Sequence, residues 1–207
     1  MKILLVNGSP TEKGCTYTAL SEVAGALNSE GAQTEILQIG KKPVQGCTNC
    51  KHCQSAGKCA FDDLVNEAAE KAKDADGFVF GSPVYYGAVS GQMTSFMNRF
   101  FFSSGRLLAN KPGAAVVCCR RAGSTAALDQ IYKYMVISNM LLMGAMYWPM
   151  VHGFTPDDVR RDREGMQTMR IMGRNMAWII KSIEAGREAG VQLPKPEPER
   201  FYTNFMD

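Results

Sequence analysis

The sequence has 207 residues, a formal net charge of +3, and 45% hydrophobic against 21% charged residues. This length and composition favour a globular protein of one domain, with enough apolar residues to build a sizeable core. The small net charge, without a long basic block or a long apolar run, excludes a nucleic-acid surface and a membrane span, so we expect neither partner.

The first sixteen residues predict a strand, a loop and the start of a helix. The apolar run 3–6 is bounded by turn residues and is only as long as a strand, so we expect no signal peptide and a cytoplasmic location. Small and turn-forming residues fill the predicted loop 7–14, and apolar residues at helical spacing follow. Backbone N–H groups and the helix dipole converge at such a junction, where hydroxyls of Ser9, Thr11 and Thr16 can add hydrogen bonds to an anion.

The chemistry of this loop narrows the choice of anion. It lacks the Gly-Lys-Ser/Thr ending of a Walker loop, and the Gly-x-Gly-x-x-Gly dinucleotide pattern is also missing. A hydroxyl-rich loop without that lysine suits a phosphate monoester of the FMN kind. An ordinary strand–helix turn with a serine cap is the open alternative.

Apolar strands alternate with helices along the rest of the chain. The further predicted strands are 33–39, 77–81, 114–119 and 141–148, and the further predicted helices begin near 62, 91 and 125, with a long one around 169–183. Because 33–39 mixes polar and apolar residues, we expect it at or near an edge. The alternation predicts a parallel sheet with helices on both faces. We assign 1–190 to this domain, with a cysteine-rich loop inserted at 44–60, and 191–207 to an extended tail.

Three loops are expected at the edge of this sheet where ligands bind, beyond the carboxyl ends of the strands. They are 8–16, 82–88 and 119–125. In the second loop, Tyr85 and Tyr86 stand beside a glycine, where aromatic rings can stack on or edge a flat ligand. Partly buried packing is the alternative for these tyrosines.

The third loop carries two adjacent arginines, Arg120 and Arg121, followed by small residues. Guanidinium groups there can face the negative charge of a reduced flavin or bind the phosphates of a nicotinamide cofactor. Two solvated surface arginines are the alternative.

Four cysteines crowd into thirteen residues: Cys47, Cys50, Cys53 and Cys59. Seven cysteines in a chain with no export signal argue against a disulfide scaffold. Thiolates at this spacing can wrap a [4Fe–4S] cluster, but a zinc site of four thiolates needs the same ligands. Four free thiols are the third reading. Lys51 and Lys58 add local positive charge, which favours thiolates.

These motifs resemble those of the flavodoxin-like NAD(P)H-dependent FMN reductase superfamily, and most closely its iron–sulfur flavoprotein branch. The matching stretches are 8–16, 81–86, the four-cysteine loop and 203–205. The resemblance implies an α/β fold with three layers and a doubly wound, five-stranded parallel sheet in the order 2-1-3-4-5. It also implies that the first loop holds the FMN phosphate and the second edges the ring.

With the arginine loop included, the expected cofactor-binding residues are Ser9, Thr11, Gly14, Cys15, Thr16, Pro83, Val84, Tyr85, Tyr86, Gly87, Arg120, Arg121 and Gly123. Many family members carry Arg where this chain has Thr11 and Asn where it has Cys15. Thr16 and the backbone would therefore supply more of the phosphate contacts. The expected ligands of a cluster are the four cysteines.

The resemblance implies an NAD(P)H-dependent FMN or quinone reductase that uses a small-molecule electron acceptor and forms a homodimer or homotetramer. A second hypothesis is an iron–sulfur electron carrier that accepts electrons from ferredoxin, and a third is a thiol redox sensor. No side chain is assigned a catalytic role, because the flavin itself would carry the redox chemistry.

Overall fold

The computed structural model describes residues 1–195, 197–199, 201 and 203. The strands are β1 (Lys2–Asn7), β2 (Gln33–Gln38), β3 (Gly77–Tyr85), β4 (Ala88–Val89), β5 (Pro112–Cys119), β6 (Leu141–Leu142) and β7 (Met150–His152). The helices are α1 (Cys15–Ser29), α2 (His52–Ala56), α3 (Leu64–Asp74), α4 (Gly91–Ser104), α5 (Ser124–Ile137), α6 (Pro156–Arg161) and α7 (Arg163–Glu188). In the matched stretch 203–205, Asn204 and Phe205 lie outside the described residues, as does part of the predicted tail 191–207.

The sheet has the order β2-β1-β3-β5-β6, and its neighbouring strands run parallel. β7 pairs with the carboxyl end of β5, and β4 pairs antiparallel with the end of β3. Apart from β4, this is the predicted doubly wound order, so the fold class is confirmed. The predicted edge position of the second strand is also confirmed.

Two strand predictions were wrong in their extent. The fifth strand, predicted over 141–148, is split into β6 and β7, and its middle leaves the sheet with Tyr147 and Trp148 half-exposed. The third strand, predicted over 77–81, continues to Tyr85 because 82–83 pair with β5 and 84–85 pair with β4. The tight turn therefore consists only of Tyr86 and Gly87. The short helices α2 and α6 were not predicted.

Both faces of the sheet are buried, which explains the unbroken apolar runs in its central strands. Leu4 and Val6 of β1 face a core shared with α3, α4 and α5, whereas Ile3 and Leu5 face a core shared with α1 and α7. This alternation follows from the two-residue period of a strand. In the part of the chain that the structure describes, none of the helices combines the length and apolarity needed to cross a bilayer.

The short helix α6, which packs beside α1 and β7, gives a pH-dependent prediction. Hydrogen bonds from Arg161 first, and then from the Thr155 side chain and backbone, lower the pKa of Asp158 from 3.8 to about 2. Because the folded pKa lies below the unfolded one, this carboxylate stabilises the fold above about pH 4, and its contribution is lost as the pH falls through about 2. Asp158→Asn should lower Tm at pH 6, with the difference narrowing toward pH 2.

Thermal melts between pH 6 and pH 2 measure this effect. Asp157→Asn is the matched control, because Asp157 pairs with Arg160 on the same helix but takes no part in the cap at Thr155. A Tm difference for Asp158→Asn that stays constant over this pH range would contradict the prediction.

Candidate functional site

The loop after β1 is held by the buried side chain of Asn7. Its Nδ2 donates to the Glu12 carbonyl at 3.1 Å and to the Gln38 side chain, while its Oδ1 accepts the Ser9 N–H at 3.1 Å. Gln38 Nε2 in turn donates to the Ser9 carbonyl at 2.6 Å. The ends of β1 and β2 therefore fix this loop together. Sequence reasoning missed the roles of Asn7 and Gln38. Asn7 reads as the first turn residue of the loop, although β1 includes it, and Gln38 is one of several polar residues in a mixed strand.

The N-terminus of α1 presents polar groups that the described residues do not use. Gly14 is the N-cap, and none of the described side chains caps the helix there. Thr16 is 1% exposed, and its Oγ1 has no hydrogen-bond partner among the described residues. A buried hydroxyl without a partner costs about 1–3 kcal/mol, so its retention at a helix N-terminus indicates a ligand that accepts this hydrogen bond.

Ser9 and Thr11 lie in the same loop, whereas the Cys15 side chain points elsewhere. Ser9 Oγ accepts the Thr11 N–H at 3.1 Å, which tightens the turn. The Cys15 side chain packs against the core shared by α1 and α7, beside Cys118, and burial raises the pKa of both thiols. A phosphate contact by Cys15 would therefore fall to its backbone N–H.

The second loop is the tip of the β3–β4 hairpin. Tyr86 and Gly87 have φ values of +53° and +76°, the left-handed pair that a two-residue hairpin turn requires. The Tyr86 side chain is fully exposed and Tyr85 is half-exposed, while Pro83 and Val84 are partly buried. The tyrosines are thus not packing residues of this chain's core.

The third loop touches the second at Gly123. Its φ is +86°, and a Cβ added there would lie 2.8 Å from Gly87 Cα and 3.2 Å from Val84 Cγ1. Only glycine permits this close approach of two backbones. The preceding Arg120 and Arg121 are exposed.

Hydrogen bonds join the first loop to the hairpin. Ser90, the N-cap of α4, donates through Oγ to the Gly8 carbonyl at 2.7 Å and through its N–H to Ser82 Oγ at 3.0 Å. The Gly8 N–H donates to the Gly81 carbonyl at 2.8 Å. The three loops therefore lie at the same edge of the sheet, as the sequence predicts. The buried Thr16 hydroxyl, which no described residue pairs with, fits a phosphate, and the glycine contact between the other two loops fits a flat ring.

The four-cysteine loop forms a separate feature beside α4. Its free cysteines line one small cavity together with Phe61, Arg99 and Phe102. Cys47 and Cys50 are exposed, whereas Cys53 and Cys59 are partly buried. Within the described residues, no three His, Cys, Asp or Glu side chains are placed so that together they could hold one metal ion.

The cavity brings together four thiol groups that are candidate ligands of a metal cluster. Burial raises the pKa of Cys53, and the charges of Cys59, Cys50 and Cys47 raise it further. Arg99 Nε donates to Cys59 Sγ at 3.2 Å. Four sulfur donors around one cavity with a cation beside one of them match the donor set of an iron–sulfur cluster.

Sequence reasoning missed Arg99, because it lies in an aromatic stretch of α4. The residue is 1% exposed and forms a two-pronged pair with Asp63, with N–O distances of 2.6 and 2.8 Å. Burial opposes its charge, but hydrogen bonds to Asp63 and Cys59 outweigh burial and raise the pKa of Arg99. Burial likewise works against the charge of Asp63, yet the bonds from Arg99 and the Val65 N–H lower the pKa of Asp63.

Comparison with known proteins agrees with this geometry. The family model described as NADPH-dependent FMN reductase matches residues 1–155. An iron–sulfur flavoprotein of Methanocaldococcus jannaschii is 34% identical over 192 residues, which cover 89% of this chain and 100% of the relative. An iron–sulfur flavoprotein of Methanosarcina thermophila is 26% identical over 192 residues, which cover 91% of this chain and 100% of the relative.

Among solved structures, a flavodoxin from the domain Archaea superposes with a TM-score of 0.60 at 17% identity, covering 87% of this chain and 99% of that one. The fold is therefore flavodoxin-like. The chain belongs to the NADPH-dependent FMN reductase family of FMN-binding oxidoreductases, in its iron–sulfur flavoprotein branch. The predicted family is therefore confirmed.

Proposed function

We propose that this protein is an FMN-dependent oxidoreductase that takes electrons from NAD(P)H and passes them to a small-molecule acceptor such as a quinone. The observation that carries the proposal is the buried hydroxyl of Thr16. It has no hydrogen-bond partner in the part of the chain that the structure describes, and it lies at the loop where a phosphate would bind. The family description, NADPH-dependent FMN reductase, supports the choice of electron donor.

Two groups of residues would bind the two ends of FMN, one the phosphate and the other the ring. Ser9, Thr11, Gly14 and Thr16, with the Cys15 backbone, would surround the phosphate. Pro83 to Gly87 would line the ring, with Arg120, Arg121 and Gly123 on the adjoining loop. FMN, when bound, supplies the hydride and electron chemistry. The chain orients the ring and places positive charge near it, and no side chain of its own needs to react.

A second cofactor is proposed for the cysteine loop. Cys47, Cys50, Cys53 and Cys59 would hold a [4Fe–4S] cluster, which supplies one-electron transfer when bound. The shared cavity and the hydrogen bond from Arg99 to Cys59 support this assignment, as do the names of the relatives. With a cluster present, a redox protein such as ferredoxin becomes a suitable electron donor.

The domain bounds, the oligomeric state and the location are proposed from the resemblance to the same family. We infer one FMN-binding domain over 1–190 and a homodimer or homotetramer that works in the cytoplasm. Phe102, half-exposed beside the cysteine cavity, is compatible with a contact between subunits.

The two cofactors are tested together on protein purified without oxygen. We expect flavin absorbance bands, about four iron and four sulfide per chain, and oxidation of NADH or NADPH when FMN or a quinone is added. Colourless protein that leaves the fluorescence of added FMN unquenched would refute the flavin proposal. Flavin without iron would refute the cluster, and zinc would replace it if metal analysis finds one zinc per chain. Reduction by ferredoxin or dithionite but not by NAD(P)H would identify a carrier.

A further inference from the structure

The guanidinium group of Arg99 has an acceptor for each of its five N–H bonds. Nε donates to Cys59 Sγ at 3.2 Å. Nη1 donates to Asp63 Oδ2 at 2.6 Å and to the Gln45 carbonyl at 3.3 Å. Nη2 donates to Asp63 Oδ1 at 2.8 Å and to the Phe61 carbonyl at 3.3 Å. A guanidinium carries five donors in a rigid fork, so this set of acceptors uses it completely.

These acceptors come from both ends of the cysteine loop. Gln45 precedes the first cysteine of the motif, and Phe61 follows the last one and also places its ring 4.9 Å from the guanidinium carbon. Asp63 caps α3 by accepting the Val65 N–H at 3.0 Å. A single side chain on α4 therefore closes the loop and joins it to α3.

Cys59 is fixed more firmly than the other cysteines of the motif. Asn66 accepts the Cys59 N–H at 3.0 Å and donates to the Cys59 carbonyl at 3.1 Å, so the backbone is held. Arg99 holds the sulfur. Cys47 and Cys50, in contrast, are exposed. The loop thus presents one sulfur that hydrogen bonds hold in place, whereas the sulfurs of Cys47 and Cys50 are open to solvent.

If Arg99 served only to stabilise the fold, it would not need to donate a hydrogen bond to a sulfur atom. The ion pair with Asp63 and the two carbonyl contacts already satisfy four of the five N–H bonds. The fifth, on Nε, points at the sulfur of a proposed ligand. Hydrogen bonds to the sulfur atoms and the net charge nearby are two of the factors by which a protein sets the potential of an iron–sulfur cluster.

We propose that Arg99 is a positioning residue that presents the Cys59 sulfur to the iron–sulfur cluster and, through its N–H···S bond, raises the reduction potential of that cluster. The inference rests on the cluster assigned above. The positive charge of Arg99 stabilises the reduced cluster, because the reduced state carries one more negative charge than the oxidised state. Asp63 opposes this effect, because its carboxylate neutralises part of the charge of Arg99.

Two variants should shift the potential in opposite directions. Arg99→Gln removes the positive charge, so the cluster potential should become more negative, and iron retention against a chelator should fall about 10- to 100-fold. Asp63→Asn leaves the positive charge uncompensated and keeps a residue that can cap α3, so the potential should become more positive. Redox titration followed by electron paramagnetic resonance measures both shifts. Arg106→Gln, an exposed arginine just after α4, is the matched control and should leave the potential unchanged.

A third readout does not require the cluster. In metal-free protein at a pH high enough to ionise the thiols of both variants, the alkylation rate reports access to the sulfur. Under these conditions iodoacetamide should alkylate Cys59 faster in Arg99→Gln than in the wild type, while the rate at Cys47 stays the same, as read by mass spectrometry. Unchanged alkylation of Cys59 would overturn the positioning role. If Arg99→Gln does not fold, Asp63→Asn decides alone, and an unshifted potential in that variant would overturn the tuning role. Wild-type protein without iron would refute the cluster, and Cys59 alkylation would still decide whether Arg99 positions the sulfur.

Discussion

Replacing Thr16 by Val should weaken FMN binding and at the same time stabilise the FMN-free protein. Valine has nearly the shape of threonine but lacks the hydroxyl, which is buried without a partner among the described residues. In the free protein its removal relieves the cost of burying an unpaired polar group, about 1–3 kcal/mol. With FMN bound, the variant loses a hydrogen bond to a charged phosphate, worth about 1.5–3 kcal/mol, or about 10- to 150-fold in Kd.

The opposite signs of the two effects make this test specific. Urea unfolding of the FMN-free protein gives the change in stability, and quenching of FMN fluorescence gives Kd. Ser21→Ala is the matched control, since Ser21 Oγ is also buried without a described partner on α1 but lies beyond its first turn. It should change stability in the same direction and leave Kd alone. Equal FMN affinity in Thr16→Val and the wild type would place the phosphate elsewhere.

The parts of the fold that could be predicted are those that short sequence patterns determine. The run 3–6 and the small-residue loop after it predict β1 and the N-terminus of α1, because burial on both faces and turn chemistry act over a few residues. The same reasoning places 33–39 at the edge of the sheet. The convergence of the three loops then follows from the general rule for parallel sheets and needs no knowledge of side-chain contacts.

The parts that could not be predicted depend on partners far along the chain. β3 continues to Tyr85 because β4 and the end of β5 pair with it, whereas Ser82 and Pro83 in the sequence indicate a loop. The fifth strand is split although 141–148 is mostly apolar, since pairing with β5 resumes only at Met150. Hydrophobic periodicity reports burial, but it does not report which strand supplies the hydrogen bonds.

The same limit applies to the site. Arg99 reads as one cation in an aromatic helix, and its partners Asp63 and Cys59 lie 36 and 40 residues away. Cys15 occupies a position suited to a phosphate contact, yet its side chain faces Cys118 in the core. Sequence spacing thus indicates which backbone segment meets a ligand, whereas the direction of each side chain is decided by long-range packing.

The approach of the second and third loops leads to the prediction for Gly123. Gly123→Ala should weaken FMN binding between about 5-fold and about 150-fold. The new Cβ would stand 2.8 Å from Gly87 Cα, which is backbone and cannot swing aside. Either the hairpin or the 119–125 loop must move, and overpacking of this kind costs about 1–3 kcal/mol. Since both loops border the proposed ring site, the displacement should reach FMN as well as the fold.

Gly31→Ala separates this steric effect from backbone strain. Gly31 has a φ of +87°, almost the same as +86° at Gly123, but an added Cβ there meets no described atom within 4 Å. Both variants should therefore lose about 1–2 kcal/mol of unfolding free energy from the left-handed backbone alone. Only Gly123→Ala should lose more than that and also raise the Kd for FMN. If the two variants bind FMN equally well, the contact between Gly87 and Gly123 braces the fold without shaping the flavin site.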